Sequence, residues 1–152
     1  MRAILVQHGE AVTKDSDPER PLTERGRREV DALATCLSQR GQLPRTIWHS
    51  GKTRARQSAE LLSAAAPPQA RDGLGPNDDT AAWAEQLAQA SADLMLVGHQ
   101  PFVGRLAARL LTGRDDGVDL GFVPGAACCL ERGDDADWRL AWMLRPELLP
   151  GT

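Results

Sequence analysis

Apolar residues in this chain come in two rhythms, short unbroken runs and stripes at helical spacing, and the two alternate. Ala3-Ile4-Leu5-Val6 is an unbroken run, the pattern of a strand covered on both faces, and predicts a strand over residues 2–7. A polar stretch, 13–21, follows as a loop. Over 22–41, Val30, Leu33, Ala34 and Leu37 form one stripe, which predicts a helix capped by Thr23 and ended by Gly41. Residues 45–49 read as a second short strand and 52–66 as a second helix, halted by Pro67-Pro68. A third helix is predicted over 76–90, capped by Asn77, Asp78, Asp79 or Thr80, with Trp83 and Leu87 turned inward. Leu94 to Val97 reads as a buried strand. Residues 100–113 read as a helix with Pro101 in its first turn, the stripe Phe102, Val103, Leu106, Leu110, and Gly113 beyond its end. The tail changes character, and 119–132 and 137–145 predict strands. In the second, Trp138, Leu140, Trp142 and Leu144 alternate with Arg139, Ala141, Met143 and Arg145, a period of two that assigns Trp138 and Trp142 to the core.

Strands that alternate with helices predict an α/β fold, a three-layer sandwich with a mainly parallel central sheet, helices on both faces and an antiparallel edge built by the tail. With 152 residues, one domain spanning 1–152 is expected. In such sheets ligands sit beyond the carboxyl ends of the strands. All three histidines stand at such ends: His8, His49 and His99.

A net charge of −3 argues against a general nucleic-acid binder, which carries a basic excess. Cys36, Cys128 and Cys129 are an odd set. The adjacent pair would point to opposite faces of a strand, and no CxxC knuckle is present. A cytoplasmic setting is expected. The apolar run 3–6 is too short for a signal peptide or a membrane span, so neither membrane nor nucleic acid is expected as a partner.

His8, His99 and the start of the second helix suggest a chemistry. Arg54 lies close after the 45–49 strand, and helix N-termini and guanidinium groups both favour phosphate oxygens. A neutral imidazole is a competent nucleophile toward phosphorus, and a second, protonated imidazole would hold a phosphoryl oxygen. A metal site is the chemical rival. No histidine pair shows HxH or HxxxH spacing, and Arg54 would repel a cation, so no metal and no cofactor are expected.

The pieces QHGEA, LTERG, HSGKTRARQSAE and VGHQPFVG, in that order, resemble the histidine phosphatase superfamily, whose pattern is RHG, SxxxRAxQT and then GH. Length and order are most similar to its short SixA-type branch, the phosphohistidine phosphatases. The resemblance implies a phosphoglycerate mutase-like fold and a metal-independent phosphatase acting through a phosphohistidine intermediate. It implies that His8 is the nucleophile, that Arg54 binds the phosphoryl group and that His99 stabilises charge on it. Ser50 matches the serine that opens the second motif. Gln7, Gly9, Lys52 and Gln100 are expected at the phosphate pocket by adjacency.

One position departs: Gln7 stands where the family has arginine. Glutamine donates hydrogen bonds but brings no charge. A hydrogen bond to a charged group contributes about 1.5–3 kcal/mol, or roughly ten- to a hundredfold in rate if felt only in the transition state. Lys52 is the expected source of replacement charge. Ester substrates profit from a general acid, and the candidates are Glu10, Asp78 and Asp79. A phosphohistidine has a weak N–P bond and makes less demand for one. The resemblance to the SixA-type branch implies a phosphohistidine protein as substrate, with inorganic phosphate as product. The alternatives are a small phosphorylated metabolite as substrate, or a phosphate-binding pseudoenzyme because of Gln7. The cleft is expected to be lined by 13–21 and 72–80.

Overall fold

The computed structural model describes residues 1–152 as one six-stranded sheet with four helices. The elements run β1 (Arg2–Gln7), α1 (Glu24–Gln39), β2 (Thr46–His49), α2 (Thr53–Leu62), β3 (Gln69–Ala70), α3 (Thr80–Gln89), β4 (Leu94–Gly98), α4 (Phe102–Thr112), β5 (Ala127–Arg132) and β6 (Trp138–Leu144). The sheet order is β3-β2-β4-β1-β5-β6. The first four strands are mutually parallel, and β5 and β6 join antiparallel.

Strand alternation divides the core in two. Ala3, Leu5, Leu94, Leu96, Cys128 and Leu130 face Trp83 and Leu87 of α3 and Phe102, Val103 and Leu106 of α4. Ile4, Val6, Met95, Val97, Ala127 and Cys129 face Val30, Leu33 and Leu37 of α1 and Ala55, Ala59 and Leu62 of α2. The result is the three-layer sandwich with an antiparallel edge. The two adjacent cysteines part to opposite faces, as strand geometry requires. Burial pushes their thiols up to about 12 for Cys128 and about 11 for Cys129, which leaves them unreactive.

Thr23 caps α1 by accepting the Gly26 N–H at 2.9 Å, and Asp79, one of the four candidates, caps α3. Three sequence readings need correction. The second helix ends at Leu62, its last buried residue, because Ala64 to Ala66 are exposed and have no core to pack on. The first tail strand begins only at Ala127. Pro124 lacks an N–H for a ladder, and Gly121 and Gly125 take positive φ (70° and 82°), so 119–126 stays irregular.

The third correction concerns the period of two in β6. Cys129 pairs with Trp142 but Leu130 pairs with Leu140, so Ala141 is an inserted bulge residue. The bulge reverses the facing of everything before it. Trp138 packs against the α3/α4 side and Trp142 against the α1/α2 side. Both are only partly buried, and Leu140 is 43% exposed. The two-residue strand β3 was not expected from the sequence.

Candidate active site

Sheet register builds the site. Gln7 of β1 lies beside Gly98 of β4, so His8 and His99, each one residue on, leave the sheet side by side. His49 of β2 lies beside Val97, which sets Ser50 next to them. The imidazole centroids of His8 and His99 are 5.0 Å apart. Both rings are buried, at 8% and 1% exposure.

His8 Nδ1 lies 2.7 Å from the Gly9 carbonyl oxygen. A carbonyl can only accept, so Nδ1 carries the proton and Nε2 is left with its lone pair. Arg54 Nε donates to that Nε2 at 3.2 Å. The Gly9 peptide is held in turn. Its N–H donates to Ser58 Oγ at 2.9 Å, and the Ser58 hydroxyl donates to the Arg54 carbonyl at 2.7 Å. A side chain at Gly9 would meet Val30 Cγ2 at 2.8 Å, so only glycine fits between the sheet end and α1. On the same helical turn, Gln57 Oε1 accepts the Leu22 N–H at 2.8 Å. One turn of α2 therefore fixes the loop after β1 and the end of the 13–21 loop together.

His99 Nε2 shares a 2.7 Å hydrogen bond with Ser50 Oγ. His99 Nδ1 and Gln7 Oε1 are buried without a partner. Buried polar atoms in native proteins are nearly always paired, and the protein itself supplies no partner to either of these. Turned over, the Gln7 amide would present an N–H donor there.

Cationic side chains and burial set the electrostatics of the site. Burial first, opposed by the Gly9 hydrogen bond and aided by the Arg54 and Arg20 charges, lowers His8 to about 4. Burial lowers His99 to about 3, aided by His8, Arg54, Lys52 and Arg20. Both imidazoles are thus neutral at pH 7. The protonated imidazole expected at His99 is opposed here by burial first and by the surrounding cations after it. Burial and Arg20 also lower the Arg54 guanidinium.

Arg20 was missed by sequence reasoning. It sits on the 13–21 loop with φ +49°, and its Nε donates to the Val12 carbonyl at 3.1 Å. Its charge reaches His8, His99 and Arg54 alike. Lys52 is exposed and makes no side-chain bond, and its charge is felt at His99. The only sequence signal for Arg20 was its place before the Pro21-Leu22-Thr23 helix start, which says nothing about where a loop folds back.

The remaining candidates have other partners. Glu10 accepts from Thr23 Oγ1 at 2.8 Å and lies 3.9 Å from Arg25. Asp78 accepts the Gly75 N–H at 2.7 Å, and Asp79 the Ala81 N–H at 3.0 Å. Gln100 accepts the Gly104 N–H at 2.9 Å inside the first turn of α4. His49 accepts the Gly51 N–H at 3.0 Å and is lowered by burial on the α2 side. No three of His, Cys, Asp and Glu gather as a metal-holding group.

Two imidazoles 5.0 Å apart, one of them bonded by a guanidinium, stand together at the carboxyl ends of the strands of an α/β sandwich, an arrangement chemically able to receive a phosphoryl group. Residues 3–75 match the histidine phosphatase superfamily (branch 1). An uncharacterized protein of Picosynechococcus is 36% identical, over 75% of this chain and 75% of its own. The chain belongs to the histidine phosphatase superfamily. Among solved structures, the protein histidine phosphatase SixA complexed with tungstate superposes with a TM-score of 0.83 at 23% identity, covering 97% of this chain and 99% of that one. A SixA protein from Agrobacterium tumefaciens superposes at 0.76 and 25% identity, covering 95% and 97%. A phosphoserine phosphatase variant from Entamoeba histolytica superposes at 0.70 and 12% identity, covering 96% and 98%. The fold is the phosphoglycerate mutase-like sandwich.

Proposed function

We propose that this chain is a metal-independent phosphatase that works through phospho-His8 and takes phosphohistidine as its substrate. The observation that carries the reading is the fixed tautomer of His8. With Nδ1–H held by the Gly9 carbonyl, the lone pair is on Nε2, where a phosphoryl group that takes over the Arg54 N–H leaves it to act as nucleophile.

In the first step that lone pair forms a bond to phosphorus, and the phosphorus–leaving-group bond breaks. The leaving nitrogen keeps the electron pair and is protonated from water. His8 becomes cationic, and the Gly9 carbonyl stabilises the Nδ1–H. In the second step water bonds to phosphorus, the P–Nε2 pair returns to His8, a proton goes to solvent, and inorganic phosphate leaves. Arg54 and Arg20 supply positive charge for the phosphoryl oxygens. Arrival of a phosphate dianion would raise His99 from about 3 and allow it to donate. Ser50 positions His99, and Gln7 offers an amide to the phosphoryl group. The carboxylates of Glu10, Asp78 and Asp79 are engaged elsewhere, which favours a leaving group that needs little acid help. Phosphohistidine is such a group. The solved SixA proteins that share the fold carry names of the same kind.

A second reading, a phosphate-binding pseudoenzyme, is favoured by one observation: Gln7 brings no charge. Incubation with labelled phosphoramidate separates the two. The proposal expects acid-labile label on His8, no label and no turnover in His8→Ala, and full activity in chelator. Phosphate binding without any phosphoenzyme would select the second reading. No helix is long and apolar enough to cross a membrane, and free thiols, two of them buried, suit a reducing cytoplasm.

A further inference from the structure

Next to Ser50 lies a hollow that the proposed phosphoryl chemistry does not use. It has a volume of about 400 Å³ and is lined by Ser50, Ala70, Arg71, Asp72, Trp83 and Gln86. Ser50 is shared. Its hydroxyl bonds His99, and the same residue forms one wall of this hollow. Ser50 thus joins the hollow to the histidine pair, on the side where a group attached to a phosphoryl at His8 could extend.

Arg71 is built into place. Its backbone N–H donates to the His49 carbonyl at 2.8 Å, one residue past the β2–β3 pairing. Its guanidinium carbon lies 4.1 Å from the centroid of the Trp48 ring. Trp48 in turn leans on Trp83, with centroids 5.8 Å apart. Stacking holds the guanidinium by its face and leaves its N–H edge free. No carboxylate lies within ion-pair distance of Arg71, and its side chain makes no hydrogen bond. Eight other arginine–carboxylate contacts do exist in the molecule. Asp72, on the same wall, is also unpaired. That argues against a second phosphate, which a neighbouring carboxylate would repel. A single carboxylate on Arg71, with an N–H donor toward Asp72, satisfies both.

We propose that Arg71 is a specificity residue that binds a carboxylate on the leaving group, next to the phosphorylated nitrogen. This rests on the phosphatase reading above and adds to it a feature of the substrate. The carboxylate could be that of free phosphohistidine or of an acidic side chain beside a phosphohistidine in a peptide, and the test has an arm for each.

The first arm compares phosphohistidine with phosphoimidazole, which has the same N–P bond and no carboxylate. The second compares two phosphohistidine peptides that differ only in Glu or Gln beside the modified residue. In at least one arm the wild type should prefer the carboxylate substrate, and Arg71→Ala should lower that preference in kcat/KM about tenfold or more. Arg71→Lys should keep part of it. Arg114→Ala, which removes an exposed arginine paired with Asp116, should leave the preference as it is. The same ratios are read as Kd in the His8→Ala background, where no turnover is needed. Absence of any Arg71-dependent preference in both arms, in turnover and in binding, overturns the proposal. Lack of wild-type turnover, with the binding preference intact, would instead count against the phosphatase reading alone.

Discussion

At the scale of single residues, one hydrogen bond fixes the tautomer of His8 on which the proposed phosphoryl transfer depends. An imidazole free in solution exchanges tautomers. Here the Gly9 carbonyl binds Nδ1–H, and Ser58 binds the Gly9 N–H. Positive charge is distributed in a way that the motif does not show. Gln7 contributes none, while Arg20 acts on both imidazoles and on Arg54. Arg20→Gln should weaken inorganic phosphate binding and lower kcat/KM by about ten- to a hundredfold, the scale of one charge-assisted hydrogen bond. Lys52→Gln should change both by much less, because Lys52 is exposed and makes no side-chain bond. Equal losses in the two variants, by calorimetry and steady-state rates, would contradict this division.

At the scale of elements, α1 and α2 act as clamps on the loop after β1. Gly26 in the first turn of α1 lies against the Glu10 backbone, and a Cβ there would overlap the Glu10 carbonyl oxygen. Alanine in a helix is favoured over glycine by about 1 kcal/mol. Overpacking against backbone costs about 1–3 kcal/mol. The second effect should win, so Gly26→Ala is expected to lower the urea midpoint and to loosen the loop that carries His8. A midpoint equal to or above the wild type would show that the loop yields without cost. The elements were also where sequence reading did best and worst. Stripes such as Val30-Leu33-Leu37 need only local periodicity, and they were legible. The bulge at Ala141 was not, because it is a mismatch between two strands and neither strand alone records it.

At the scale of the whole molecule, the fold holds two neutral imidazoles where unfolded chain would hold ordinary ones. His8 and His99 titrate near 4 and 3 in the fold, against about 6.5 unfolded. Below pH 6.5 the unfolded chain takes up protons that the folded chain refuses. Stability should therefore be full above pH 6.5 and fall as pH drops through the window down to about 3. The slope is at most about 1.4 kcal/mol per pH unit for each fully differing group. Urea midpoints measured in phosphate-free buffer between pH 7.5 and 4.5 test this. A His8→Asn/His99→Gln variant should flatten the slope, whereas an unchanged slope would place its origin in other groups. Bound phosphate should flatten it too, because an anion favours the protonated rings.

The sequence by itself determined the alternation of strands and helices, the cap at Thr23, the short window 77–80 that holds the cap of α3, and the strand-end positions of His8 and His99. Each depends on residues within a turn or two of one another. Tertiary structure decided which of those histidines meet: parallel register joined His8 to His99 and turned His49 toward α2. It also brought the charge of Arg20 to both imidazoles and drew Glu10 to Thr23 and Arg25. The reason is physical. Periodicity follows from backbone geometry that every residue carries locally, whereas charge and hydrogen-bond partners follow from distances that exist only once the sheet has closed its register.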